Sequence, residues 1–143
     1  MRVRSTALFF VTAILIVAVA ALGQKPKVEK TAAPPTSAGS GQEMYTAYCA
    51  SCHGADLKGD GPAAAAMKVA PSDLTTLAKR NGGKFPTLQV AHTIAGDENY
   101  PAHGSKDMPV WGPVFRAVSQ HDQSMVTLRV NNLTTFIEQH QAK

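Results

Sequence analysis

The chain is short of cysteine, of aromatic side chains and of any strand-like pattern. Its 143 residues include two cysteines, and Phe, Tyr and Trp together make up 6%. All cysteine chemistry is therefore confined to one place, Cys49 and Cys52. No second Cys/His pair at metal spacing accompanies it, which leaves a four-ligand zinc site incomplete. No period-2 alternation and no internal repeat is present, so the chemistry has to be carried by helices and loops. There is no G-x-S-x-G and no phosphate loop, and nothing marks a nucleophile or a nucleotide site. The folded part also lacks net charge. Residues 1–39 carry Arg2, Arg4, Lys25, Lys27 and Lys30 against Glu29, which accounts for the whole formal charge of +4. Residues 40–143 balance nine Lys and Arg with nine Asp and Glu. A pI of about 9.2 is thus a property of the N-terminal segment and no argument for nucleic-acid binding.

What is present begins with an export pattern. Arg2 and Arg4 precede a mostly apolar run, Ser5 to Gly23, long for a signal peptide and long enough to span a bilayer. Ala18 and Ala20 offer an A-x-A cleavage site, so residues 1–23 read equally as a cleaved signal or a retained anchor. Either way the rest of the chain lies outside the cytoplasm, in the periplasm or an equivalent exported space, tethered to the outer face of the inner membrane if the anchor stays. Residues 24–39, rich in Pro, Lys, Ala, Thr and Ser, read as a flexible tether.

A domain over residues 40–143 follows. Ser40 and Glu43 form a capping box ahead of Met44, Tyr45 and Tyr48. A second helix is expected behind Ser72 as cap, with Leu74, Leu77 and Ala78 on its face and Asn81-Gly82 as its stop. A third follows Pro86, with Leu88, Ala91 and Ala95 on one side and Gly96 at its end. The last, after Ser119, repeats Val126, Val130, Leu133 and Ile137 at helical steps. Between the third and the last lies a loop that is polar and then turns apolar at Met108, as a loop does when it has something to cover. A domain of this size, poor in aromatics, gains a core from a large apolar cofactor.

The cysteines stand in Cys49-Ala50-Ser51-Cys52-His53. Closing a disulfide over so short a loop removes little unfolded-state entropy. A thioredoxin-like pair needs a βαβ context that is missing. C-x-x-C-H is also the attachment sequence for c-type haem. Residues i and i+3 of a helical turn share a face, so two sulfurs there can add to the two vinyl groups on one edge of a porphyrin. The next residue, His53, then offers an imidazole to the iron, and Gly54 lets the backbone pass close to the macrocycle without a Cβ.

From about Ser40 to Gln139 the chain resembles the class I c-type cytochromes. The match rests on C-x-x-C-H and, more loosely, on Gly41, Tyr45, "GDGP" ending at Pro62, "PSDL", "MPVWG" at Met108, and Phe136. The resemblance implies an all-α, small cytochrome c fold, three to five helices wrapped around one covalently bound haem c. It also implies a first and last helix that cross where Gly41 meets Phe136. It assigns Cys49 and Cys52 to covalent attachment, His53 and Met108 to the iron, and the Pro62 carbonyl to the second nitrogen of His53. Trp111 lines the haem pocket or bonds a propionate, or is plain packing. Lys79 and Arg80 approach a propionate or remain solvated. His92, His103, His121 and His140 are read as non-ligands, and Met44, Met67 and Met125 as other than the distal ligand.

With two retained ligands and a dry interior, such a site transfers single electrons and needs no catalytic residue. The expected function is an exported single-electron carrier, not an enzyme, whose partners are a redox donor and a redox acceptor. The alternatives are a fixed electron-transfer subunit of a membrane oxidase or dehydrogenase, or a haem enzyme or gas sensor with an open distal site. No nucleic acid enters any of them; membrane attachment, if present, runs through residues 5–23.

Overall fold

Residues 33–96 and 108–143 are described in the computed structural model of the chain. The apolar run of residues 5–23, the first part of the tether and His103 lie outside the described residues. Among the described residues the structure is all-α, with no strand and no helix long and apolar enough to cross a membrane. Its α-helices are α1 (Gly41–Tyr48), α2 (Ala50–His53), α3 (Leu77–Arg80), α4 (Thr87–Ala95), α5 (Trp111–Val118) and α6 (Gln123–Gln139). Two 3-10 turns add Ala64–Ala66 and Leu74–Thr76. Because α1 runs into α2 at Cys49, the six segments form five helical bodies.

α1 starts where the capping pattern puts it: Glu43 N–H donates to Ser40 Oγ at 3.1 Å. The reciprocal arm differs. The Glu43 carboxylate accepts from Ser37 N–H at 3.2 Å, since Ser40 N–H already donates to the Ser37 carbonyl. α6 starts at Asp122, which accepts from the N–H groups of Ser124 and Met125. It buries Val126, Val130, Leu133 and Ile137 on one face, as its spacing indicates. α1 and α6 cross at Gly41, where a Cβ would meet the Asn132 carbonyl and Phe136 Cβ. A methyl there overpacks the crossing, at a cost of about 1–3 kcal/mol. The Tyr45 and Phe136 rings meet across it in a tilted pair, centroids 5.3 Å apart.

Four expectations are corrected. The turn before α3 is capped by Asp73, not Ser72: the Asp73 carboxylate accepts from Thr75 N–H at 2.8 Å. The segment enters as a 3-10 turn, which moves the cap one residue along. α4 buries Val90, Thr93 and Ile94, whereas Leu88 is 71% exposed. Two residues apart on a helix, Leu88 and Val90 face opposite ways. The apolar stretch after Met108 is not all loop: it folds as α5, with Pro113 in the first turn, where its missing N–H costs nothing. Phe115 of α5 is fully buried.

The fourth concerns the tether. Residues 33–39 belong to the domain. Arg129, buried on α6, donates from Nη1 to Thr36 Oγ1 and from Nη2 to the Thr36 carbonyl, both at 2.9 Å, and from Nε to Ser119 Oγ at 3.0 Å. Tyr48 Oη donates to the Pro34 carbonyl at 2.6 Å. Asn132 Nδ2 donates to the Ala38 carbonyl at 2.9 Å. Composition alone reads this Pro/Ala/Ser stretch as solvated; partners about ninety residues away in sequence hold it down.

Candidate haem site

α2 is a single turn, and every carbonyl at its end has a partner. Gly54 N–H donates to the Ala50 carbonyl at 3.0 Å, Ala63 N–H to Ser51 at 2.8 Å, Gly61 N–H to Cys52 at 3.1 Å and Gly59 N–H to His53 at 2.8 Å. Tyr45 Oη donates to the Gly54 carbonyl at 2.7 Å, and burial holds its phenol well above the ordinary range. The glycines of "GDGP" make the close approach possible. A Cβ on Gly61 would meet the Ala50 carbonyl, and one on Gly59 the Pro71 carbonyl. Gly54, at φ +79°, sits against the Asp60 carboxylate. A Cβ there would strike the Asp60 side chain.

The turn presents Cys49, Cys52 and His53 to one cavity of about 630 Å³. Met108, Pro109 and Trp111 line the same cavity, as do Leu74, Leu77 and Val90. Residues as far apart in sequence as Cys49 and Trp111 are thereby brought together around a predominantly apolar hollow. Trp111 also packs tilted against Tyr48 at 5.2 Å and stacks on Phe115 at 6.0 Å, so it both lines the cavity and packs the core.

His53 is buried, and its Nδ1 lies 3.0 Å from the Ser72 carbonyl. That bond fixes the tautomer with Nδ1 protonated and leaves Nε2 as the coordinating nitrogen. Burial lowers the imidazole's proton affinity, which the Ser72 carbonyl partly offsets, so the ring is held in its neutral, ligating form. The acceptor is therefore Ser72, ten residues past the Pro62 that the resemblance assigned. Pro62 is exposed and is not among the residues lining the cavity. A backbone carbonyl comes with any residue type, so no side-chain pattern could have marked Ser72.

Burial, reinforced by the neighbouring Cys52, pushes the Cys49 thiol up to about 12. Reactive cysteines are built the opposite way, with the thiolate favoured. A redox pair working by thiol exchange is thereby disfavoured. Two thiols one turn apart, an adjoining neutral imidazole and an apolar cavity form a donor set that fits a tetrapyrrole: two covalent anchors and one axial nitrogen.

The remaining candidates separate. Arg80 lines the cavity, and its Nη2 donates to the Asp73 carbonyl at 2.7 Å; Lys79 is exposed and is not among the lining residues. His92 is half-buried on α4, away from the lining. His121 and His140 are exposed at the two ends of α6. Met44 is fully buried core, and Met125 is exposed. Met67, read from the sequence as other than the distal ligand, lines the cavity together with Met108.

Neither the curated proteins nor the solved structures provide a match to the chain. A family model described as Cytochrome c matches residues 38–139, most of the chain and nearly all of the described domain. With the attachment turn, the neutral imidazole and the apolar cavity inside that span, the chain belongs to the cytochrome c family, a family of electron-transfer proteins with covalently attached haem c.

Proposed function

We propose that the protein is a single-electron carrier of an exported electron-transfer chain, its haem bound through Cys49 and Cys52 and its iron ligated by His53 and Met108. When bound, the haem supplies a one-electron ferric/ferrous couple. The observation that carries the reading is the gathering of Cys49, Cys52, His53 and Met108 on one apolar cavity. The cysteines anchor, and the α2 turn, bonded at all its terminal carbonyls, keeps them in register. His53 Nε2 provides the proximal nitrogen, while Ser72 holds the proton on Nδ1. The Met108 thioether supplies the second ligand, which favours the ferrous state and raises the potential. Leu74, Leu77, Val90 and Trp111 exclude water, so little around the site reorganises on electron transfer. Residues 1–23 support an exported setting, as a cleaved signal or as an anchor holding the domain at the outer face of the inner membrane.

An optical redox titration of the protein matured in a competent host tests this. The expected result is one low-spin species with a weak far-red thioether band and a single one-electron transition. A high-spin ferrous form that takes up carbon monoxide readily would replace the carrier by an enzyme or gas sensor with an open distal site.

A further inference from the structure

The family model ends at residue 139, yet the chain continues, and its last residues close on the wall of the cavity. Gln141 Oε1 accepts from Ala78 N–H at 2.9 Å, and its Nε2 donates to the Leu74 and Ile137 carbonyls, both at 2.8 Å. Ala142 N–H donates to the Thr75 carbonyl at 2.8 Å. Ala78 and Leu74 are the i and i−4 pair that an α-helix joins directly. Here the chain changes from a 3-10 turn to α3, and one carboxamide serves both backbone groups, as donor to the carbonyl and acceptor from the N–H.

The clasped segment also holds the ring of His53. Ser72, whose carbonyl takes the Nδ1 proton, lies two residues before Leu74. The links between are stiff. Asp73 is tied through its carboxylate to Thr75 N–H and through its carbonyl to Arg80 Nη2. Leu74 N–H donates to the Leu57 carbonyl at 2.8 Å. Leu74 and Leu77 line the cavity themselves. A shift of the Leu74 carbonyl is thus carried to Ser72.

We infer that Gln141 is a positioning residue for the proximal histidine: by clasping Leu74 and Ala78 it keeps the Ser72 carbonyl on His53 Nδ1 and so sets the electron-donating strength of Nε2. Glutamine suits the place because its amide is donor and acceptor at once; a thioether or a carboxylate of similar length is not. The inference rests on the reading of His53 as an iron ligand.

The test uses haem-loaded full-length protein carrying Gln141→Met, which keeps length and loses all three side-chain bonds, and Gln141→Glu, which keeps the acceptor and loses the donor. Two quantities are read: the solvent exchange rate of the His53 Nδ1 proton by NMR, and the midpoint potential. Exchange is expected to quicken about tenfold in Gln141→Met, the factor that one lost hydrogen bond gives. The potential is expected to rise in Gln141→Met, because a weaker bond at Nδ1 makes Nε2 a poorer donor to ferric iron; in Gln141→Glu the added carboxylate pulls the potential the other way, and the exchange rate is the quantity read. A lower melting temperature with the exchange rate unchanged in both variants, and the potential unchanged in Gln141→Met, would reduce Gln141 to a stabilising contact and overturn the inference. His53 ring resonances unshifted by the iron in the parent protein would overturn the ligand reading first, and the inference with it.

Discussion

Changing both Cys49 and Cys52 to alanine is expected to release the haem to acid–acetone extraction and to leave the domain without a cooperative unfolding transition. The magnitude follows from the cavity. At about 24 cal/mol per Å³ of void, 630 Å³ corresponds to roughly 15 kcal/mol. The mouth opens to solvent, so this is a ceiling. Even a part of it is comparable with the ~5–15 kcal/mol that holds a domain of this kind together. The walls and the core share residues: α2 is one turn long, and Leu74, Leu77 and Val90 line the hollow as well as packing in the core. Far-UV circular dichroism during heating checks it. A melt as steep and as high as the parent's, in protein shown to carry no haem, would mean that the helices pack without the group.

Met108→Ala is expected to have the second largest effect. Losing the thioether removes the ligand that favours ferrous iron, and the potential should fall by roughly 0.1–0.3 V, part of the ~0.8 V range that axial ligands span. The reduced protein should gain carbon monoxide binding. Met67 makes the experiment sharper, because it lines the same cavity. Met67→Ala is expected to leave both potential and band in place. If Met67→Ala abolishes the thioether band and Met108→Ala does not, the ligand is Met67.

Much of this was legible in the sequence where one residue type has one physical use. Ser40 before a helix, the four-three-four spacing of α6, and the two cysteines one turn apart each translate directly into geometry. The Gly41–Phe136 crossing came from the family resemblance, and the packing supplies its reason: a Cβ at Gly41 would strike Asn132 and Phe136. The failures share a cause. Ser72 acts through its carbonyl, so its side chain carried no signal and misled as a cap. Leu88 is apolar yet exposed, because the register of α4 is set by packing of Val90 and Ile94. α5 lies in a stretch read as loop; Gly112 lets α5 approach the Ala95 carbonyl, and Pro113 falls in the first turn. The residues 33–39 were read from composition, and composition cannot anticipate a buried guanidinium at Arg129 that bonds Thr36.

The local chemistry of the attachment turn was therefore readable, while its supports were not. Gly59, Gly61 and Ala63 hold α2 through backbone groups, Ser72 holds the imidazole, and Gln141 holds the segment that carries Ser72. Each of these bonds joins residues whose proximity only the folded chain creates.

The most direct measurement of the central claim is the mass of the peptide spanning Cys49–His53, taken from protein matured in a host that attaches haem. The expected mass is that peptide plus one whole haem, stable to denaturation and organic extraction. The same peptide at the mass of its bare residues, from protein that has passed through the same maturation, would contradict it.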